Sequence, residues 1–235
     1  MLRTTASFGR TSARFLQQPR ILVLCEDKKS GKDYLSEAAR AYSLESSIEV
    51  DNCKHTDPKG IVEVAIEKEN QYDSIYCVID RDTHNNYEEA ILLAKNHSNI
   101  TVFTSFPCFE YWLLLHFGYS RKPYSRAGGN SPADNLIKDL KKIPKMVSYC
   151  KGSCVNLFKD LSENLDTACE FSERALREAI ESNEFNPSTK LHILIDIFEK
   201  LSAPRQASKG AHKYIVFTKT YGVAVFPVPP FLRIF

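Results

Sequence analysis

The chain lacks both a long apolar run and a strong net charge. No uninterrupted apolar stretch approaches the ~20 residues that a transmembrane helix needs, and the N-terminus has no apolar core typical of a secretory signal. Lysine and arginine total 31 against 29 aspartate and glutamate residues, so the formal net charge is only +2. A polyanion would therefore have to meet a local basic patch, because the whole chain exerts little attraction on it. We expect a soluble, cytoplasmic protein that does not bind membranes.

The common cofactor motifs are also missing. The sequence contains no GxGxxG and no GxxxxGKS loop, which argues against dinucleotide binding and P-loop chemistry. It has no HExxH motif, and its six histidines are scattered along the chain. Among its seven cysteines only Cys150 and Cys154 lie close together, whereas a structural zinc site needs four ligands. Reduced thiols are the simplest interpretation of the cysteines.

Residues 20–117 alternate between two hydrophobic periods. Short apolar and β-branched runs predict four strands, at residues 21–25, 47–53, 74–80 and 99–105. Apolar residues at helical spacing predict intervening helices over residues 31–43, 58–70 and 87–96. Strands that alternate with helices of this length are joined by right-handed crossovers in a parallel sheet covered on both faces. We therefore predict an α/β core with a parallel four-stranded sheet flanked by helices.

The rest of the chain divides into an arm, a helical extension and a tail. Residues 1–19 form a basic arm without acidic residues, which fits a transit peptide, a phosphate contact or a solvated tail. Beyond a helix expected at 108–117, the extension (residues 118–201) is predicted to be mainly helical, with helices at 132–142, 163–182 and 188–201. Residues 202–235 are apolar and contain prolines, which fits an edge hairpin, a dimer contact or a segment that becomes ordered with a partner.

Acidic side chains follow two of the predicted strands. Glu26 comes directly after the first strand, and Asp80 and Asp82 stand at the end of the third. Ligands of open parallel sheets bind outside the carboxyl ends of the strands, where the winding reverses. If the first and third strands are neighbours, these three carboxylates converge, and a hard divalent cation such as Mg²⁺ is the favourable way to hold them. Alone, a DxD at a strand end is more often a turn or a helix cap.

A fourth acid lies in an almost continuous apolar helix. Glu110 is the only charged residue of FPCFEYWLLLHF, and Pro107 stands where that helix starts. An ionised, unpaired carboxylate in such surroundings costs several kcal/mol, so Glu110 needs a partner or faces a wet site. The alternative is an exposed first-turn glutamate favoured by the helix dipole. Because the helix follows the fourth strand, we place Glu110 at the same edge as Asp80. His116 is expected to be a satisfied core histidine.

Two basic groups are candidates for binding nucleic acid. Lys28, Lys29 and Lys32 lie beside Glu26 at the start of the first helix, where cations and backbone donors favour a phosphate. The loop over residues 118–131 adds cations and an aromatic ring that suit a single strand: Arg121, Lys122, Tyr124 and Arg126. A solvated lysine face and an ordinary surface loop are the alternatives.

Four sequence blocks resemble the Toprim-domain proteins of the RloB-like family. The blocks are ILVLCEDKKSGKDYL, IYCVIDRD, SFPCFEYWLLLHF and NPSTKLHILI, and the resemblance spans residues 20–201. It implies a Toprim fold, in which a glutamate and a DxD surround Mg²⁺ to make or break phosphodiester bonds. Carried over by position, these residues are Glu26, Asp80 and Asp82. One departure is Asp27, which stands where the family usually has glycine.

The same resemblance implies a role in bacterial restriction and abortive-infection defence, with RNA as the substrate. Our leading hypothesis is a Mg²⁺-dependent endonuclease, with Mn²⁺ able to substitute, that cleaves RNA and has tRNA as one candidate. Its catalytic residues would be Glu26, Asp80, Asp82 and Glu110, with the first three as metal ligands. The alternative is a non-catalytic Toprim-fold module that assembles with an ATPase or as a homodimer, and a weaker alternative is a DNA-nicking enzyme.

Overall fold

The fold is an open, twisted sheet that carries helices on both faces. The computed structural model describes residues 18–26, 29–53, 55–81, 86–152 and 155–203. Within them, one sheet has the order β2-β1-β3-β4-β5. The strands are β1 (Ile21–Cys25), β2 (Ile48–Asn52), β3 (Ser74–Asp80), β4 (Ile100–Phe106) and β5 (Ser188–Thr189). The first four are parallel, and β5 pairs antiparallel with β4.

The central strands are apolar along their whole length because both of their faces are covered. Every residue of β1 and of β3 is buried. Side chains alternate between faces, so Ile21 and Val23 enter one core while Leu22 and Leu24 enter the other. Continuous burial of this kind is typical of parallel strands, and it explains why these segments read as unbroken apolar runs.

Helices of the predicted core and of the extension share one face of the sheet. The helices are α1 (Ser30–Ala41), α2 (Pro58–Lys68), α3 (Tyr87–Ala94), α4 (Glu110–Leu115), α5 (Pro132–Leu140), α6 (Leu157–Leu161), α7 (Leu165–Ser182) and α8 (Leu191–Ser202). Buried residues of α2 and α3, such as Ile61 and Ala90, pack with Leu22 and Leu24. Buried residues of α1 and α4–α8, such as Tyr34 and Trp112, form the larger core on the other face. The extension therefore packs directly on the sheet-bearing core.

The prediction of an α/β fold with flanking helices is confirmed, but the strand count of four was wrong. The fifth strand, β5, has two residues, which is too short for an alternating pattern to appear in the sequence. The helix expected to begin at residue 188 begins at Leu191 instead. Pairing with β4 explains the difference, because Ser105 lies opposite Thr189 in the register and Phe106 lies opposite Ser188.

A buried hydroxyl pair joins β5 to β4. Ser105 Oγ lies 2.8 Å from Thr189 Oγ1, and both residues are buried. We expect Thr189→Val to lower the free energy of unfolding by about 1–3 kcal/mol, because the Ser105 hydroxyl loses its partner without access to water. Urea denaturation measures this loss. The double variant Ser105→Ala/Thr189→Val should lose less than the sum of the two single variants, and strict additivity would contradict a direct bond.

Some predicted segments fall outside the described residues. They are the basic arm, except for residues 18 and 19, and all but residues 202 and 203 of the tail. Within the described residues, no helix combines the length and the apolar composition needed to cross a membrane.

Candidate active site

The carboxyl ends of β1 and β3 lie side by side at the switch point of the sheet. The chain passes from β1 to β2 on one side and returns to β3 on the other, so the two crossovers diverge next to β1. The Glu26 amide donates to the Val78 carbonyl over 3.0 Å, which extends the pairing of the two strands by one residue. Glu26 is thereby placed beside the carboxyl end of β3. In such sheets this is the crevice where ligands bind.

Glu26 and Asp80 are directly linked. The backbone amide of Asp80 donates to Glu26 Oε2 over 2.9 Å. Asp80 is the last residue of β3 and is 9% exposed. This hydrogen bond fixes the orientation of the Glu26 carboxylate, and it brings together two acids that are far apart in sequence. Asp82, the third predicted ligand, lies outside the described residues.

Arg81 is held away from these acids. Its amide donates to the Ser105 carbonyl over 2.7 Å, so its backbone belongs to the β3–β4 ladder. Its guanidinium pairs with Glu88 at 3.3 Å and lies over the ring of Tyr87. The Arg81 guanidinium is thus engaged with Glu88 and Tyr87, on the side of α3.

Glu110 lies at the start of α4 and is completely buried. The Tyr149 hydroxyl donates to Glu110 Oε1 over 2.9 Å, and Lys151 Nζ lies 3.7 Å from the same oxygen. Oε2 of Glu110 is buried and has no hydrogen-bond partner among the described residues. The expectation that this glutamate needs a partner is met by Tyr149 and Lys151.

The thiol of Cys108 shows that Glu110 and Asp80 share one neighbourhood. Burial raises the pKa of Cys108 well above its usual range, and the negative charges of Glu110 and Asp80 and a hydrogen bond with Glu110 raise it further. The charges of both carboxylates are thus felt at Cys108. In the chain, Glu26 directly follows β1, Asp80 ends β3 and Glu110 begins α4, just after β4.

Sequence reasoning missed Tyr149 and Lys151. They lie in the extension, and the surrounding CKGSC motif attracted attention only for its two cysteines, of which Cys154 falls outside the described residues. Nothing in the local sequence marks either residue. The only available signal was indirect, since a buried Glu110 demands a donor or a cation from some other part of the chain.

Two of the three lysines predicted at the start of α1 lie in the described residues. Lys29 is exposed and occupies the N-cap position of α1, and Lys28 lies outside the described residues. Lys32 Nζ is 3.6 Å from Asp51 Oδ1, at the end of the neighbouring strand β2. Lys29 thus stands where the chain enters α1 after β1, and Lys32 is turned towards β2.

The basic loop before α5 is largely engaged within the protein. Arg121 donates to the Glu184 carbonyl, and Lys122 pairs with Asp139 at 2.6 Å. Tyr124 is buried and donates to the same aspartate. Arg126 is exposed. Arg121, Lys122 and Tyr124 are therefore engaged in contacts within the extension.

The residues present fit a hard cation in their chemistry. Mg²⁺ binds carboxylate oxygens, and the site offers Glu26, Asp80 and the unpartnered Oε2 of Glu110. Among the described residues, no group of three or more His, Cys, Asp or Glu side chains is close enough to hold a metal ion. This statement does not cover Asp82, because residues 82–85 lie outside the described residues.

An open, mostly parallel sheet flanked by helices, with acids at its switch point, defines an α/β protein of the class whose ligands bind at the carboxyl edge. A family model described as RloB-like protein matches residues 21–198. The chain therefore belongs to the RloB-like family, and the membership predicted from the four sequence blocks is confirmed. No curated protein and no solved structure matches the chain.

His116 is a satisfied core histidine, as predicted. Its Nδ1 lies 3.0 Å from the Trp112 carbonyl, and its Nε2 lies 3.4 Å from the Tyr34 hydroxyl. Those partners suit a neutral ring that donates through Nδ1 and accepts at Nε2. Burial lowers the pKa of His116 to about 4. The histidine therefore resists protonation in the folded protein.

We expect this burial to weaken the fold in mild acid. The unfolded chain protonates His116 near pH 6.5 and the folded chain only near pH 4, so the unfolded state binds more protons between these values. Stability is therefore full above pH 6.5 and falls towards pH 4, with a loss on the order of 3 kcal/mol. Urea denaturation between pH 7 and 5 measures the slope.

The matched comparison is His116→Gln, which cannot titrate. Its slope should be shallower but not zero, because burial also lowers the pKa of His192 to about 4. Comparing slopes removes the constant effect of the substitution on packing. An unchanged slope in His116→Gln would contradict the assignment.

Proposed function

We propose that this protein is a Mg²⁺-dependent nuclease that cleaves phosphodiester bonds of RNA, with tRNA as one candidate substrate. The observation that carries the proposal is the hydrogen bond from the Asp80 amide to Glu26 Oε2, which joins the two acids at the switch point of the sheet. Membership of the RloB-like family supports it, because the Toprim resemblance implies this chemistry for a glutamate and a DxD in these positions.

The residues divide into a metal-binding group and a water-positioning group. Asp80 and Asp82 would hold Mg²⁺, with Glu26 as a further ligand or as the general acid or base. Bound there, the cation would neutralise charge on the phosphoryl group that is transferred. Glu110 would orient the attacking water or complete the ligand set through Oε2, since Oε1 already accepts from Tyr149. In hydrolysis the oxygen of a water forms a new P–O bond and gives up a proton to a base, while the P–O bond to the departing oxygen breaks and that oxygen takes up a proton.

The proposed setting is bacterial anti-phage defence, which the family resemblance implies. Lys29 is exposed at the N-cap of α1, shortly after Glu26 in the chain, and would meet the phosphate backbone there. The internal contacts of Arg121 and Lys122 give these two residues no evident part in binding RNA.

Purified protein incubated with labelled tRNA, single-stranded RNA and supercoiled plasmid, each with Mg²⁺ or with a chelator, tests the proposal. We expect Mg²⁺-dependent fragments from at least one RNA and none with the chelator. Nicking of the plasmid without RNA cleavage would favour the DNA-directed alternative. The absence of any metal-dependent product would overturn the nuclease.

A non-catalytic module is the second candidate. The observation in its favour is that the described acids form no group of three around a common point. Such a module would assemble with an ATPase or with a second copy of this chain. Calorimetry with Mn²⁺ separates the two functions, because the nuclease requires metal binding by the wild-type protein and the module does not.

A further inference from the structure

A segment of the extension crosses over the start of α1, next to the acidic site. This crossing segment (residues 146–152) is anchored at one end by Met146 and Tyr149, whose side chains are buried in the larger core. At its other end the Gly152 amide donates to Ser30 Oγ, in the first turn of α1, over 3.0 Å. Both ends are thus attached to the body of the protein, and Lys151 lies between them.

Gly152 permits the close approach of the crossing segment to α1. Its φ of +84° belongs to the left-handed region that favours glycine. A Cβ at this position would lie 1.9 Å from Lys29 Cδ and 2.6 Å from Lys29 Cβ. Only a residue without a side chain allows this packing, which brings the crossing segment against Lys29 and holds Lys151 at the edge of the site.

Lys151 and Glu110 are an unequal pair. The Glu110 side chain is completely buried, whereas the Lys151 side chain is 44% exposed. Their separation of 3.7 Å is an ion pair but exceeds hydrogen-bond distance, and Tyr149 supplies the hydrogen bond to the same oxygen. The ammonium group of Lys151 therefore stands at the mouth of the site, between the buried carboxylate and the solvent.

A polyanionic substrate needs a cation at this mouth. Glu26, Asp80 and Glu110 repel a phosphodiester, and a metal ion bound at the proposed ligands would offset that repulsion only at its own position. A lysine ammonium is a compact charge on a flexible stem, which can turn from a carboxylate to a phosphate without moving the backbone. The exposed Lys29 lies against the same crossing segment and extends the cationic rim.

We propose that Lys151 is a substrate-binding residue that contacts a backbone phosphate of the nucleic acid at this site, exchanging its contact with Glu110 for the phosphate. This inference rests on the proposed function for its substrate class. It goes further in naming a residue of the extension as part of the site, so that residues 118–201 contribute to substrate binding as well as to packing.

Binding of short fluorescein-labelled single-stranded RNA, measured by anisotropy with a chelator present, tests the proposal without cleavage. We expect Lys151→Ala to weaken binding about tenfold and to reduce the slope of log affinity against log salt by about 0.7, the value for one lost phosphate contact on a single strand. Lys151→Arg should stay within about threefold of the wild type, because it keeps the charge. In Mg²⁺, the cleavage assay should show a raised KM for Lys151→Ala.

Two further variants separate binding from folding. Lys141→Ala removes an exposed lysine of the extension and is the matched control, with affinity expected to be unchanged. The double variant Glu110→Gln/Lys151→Ala removes both charges of the pair, so that no carboxylate is left buried without its cation. Its RNA affinity should remain as low as that of Lys151→Ala, whereas recovery to the wild-type value would show that the defect came from the unpaired glutamate and would overturn the proposal.

The two proposals fail in different ways. Cleavage by the wild type with equal RNA affinity in Lys151→Ala would overturn the role of Lys151 and leave the nuclease standing. RNA binding that depends on Lys151, without any metal-dependent cleavage, would overturn the nuclease and support the phosphate contact. A wild-type protein that neither binds nor cleaves RNA or DNA would overturn both.

Discussion

Glu26→Gln is expected to lower the rate of metal-dependent cleavage by about 10²–10⁴, the range for loss of a general acid or base. The amide of glutamine has no charge to offer a metal ion and cannot exchange a proton at neutral pH. Its carbonyl oxygen can still accept the hydrogen bond from the Asp80 amide, which spans 2.9 Å in the wild type. The free energy of unfolding should therefore change by less than about 1 kcal/mol. Single-turnover cleavage and urea denaturation measure the two quantities.

Two companion variants make this result specific. Glu26→Ala removes the acceptor as well as the charge, so we expect it to lose about 1–3 kcal/mol of stability in addition to the activity. Glu45→Gln neutralises an exposed glutamate, 60% exposed and paired only with Arg40 among the contacts described, and should leave activity unchanged. Wild-type cleavage by Glu26→Gln would exclude this carboxylate from the reaction.

Glu110→Gln is expected to reduce cleavage on the same scale, about 10²–10⁴, while the fold becomes no weaker. Burying a carboxylate carries a desolvation penalty of several kcal/mol, and a neutral isostere removes that penalty. The glutamine oxygen can keep the hydrogen bond from Tyr149. The lysine left behind is 44% exposed and can be solvated, so no charge is stranded in the core. The free energy of unfolding should be unchanged or rise by up to about 2 kcal/mol.

The control for Glu110→Gln is Lys151→Ala, which removes the other member of the Glu110–Lys151 ion pair. Lys151→Ala leaves the fully buried carboxylate without its nearest cation, so it should be less stable than Glu110→Gln. Chemical denaturation of both variants and of the double variant gives the coupling between the two charges. If Glu110→Gln lowers the free energy of unfolding by more than about 2 kcal/mol, the Glu110 carboxylate stabilises the fold, and its role in binding a ligand is contradicted.

Much of the fold was predictable because it depends on local patterns. The strands β1 and β3 are buried on both faces, and an unbroken apolar run such as ILVLC is the direct consequence. Helix α2 is preceded by Asp57, which accepts from the Gly60 amide, and it begins with a proline. The two-residue β5 left no such pattern, because its existence depends on its partner β4.

The candidate site was predictable only where it follows the strand ends. Glu26 and Asp80 could be placed at one edge because they follow buried parallel strands, and a topology rule then suggested that they meet. The contacts of Arg121 and Lys122, in contrast, were not predictable from the sequence. An open, basic loop in the sequence proved to be tied to Glu184 and Asp139 in the fold.

The amino-acid sequence alone determined the class of fold, the acids of the carboxyl edge and the need of Glu110 for a partner, since each follows from periodicity or from the free energy of burying a charge. The tertiary structure alone decided which residues meet that need. Tyr149 and Lys151 reach Glu110 because the crossing segment packs over α1, with Gly152 against Lys29. Contacts between segments so far apart in the chain depend on how the helices pack on the sheet. Neither segment has a hydrophobic period that would predict such packing.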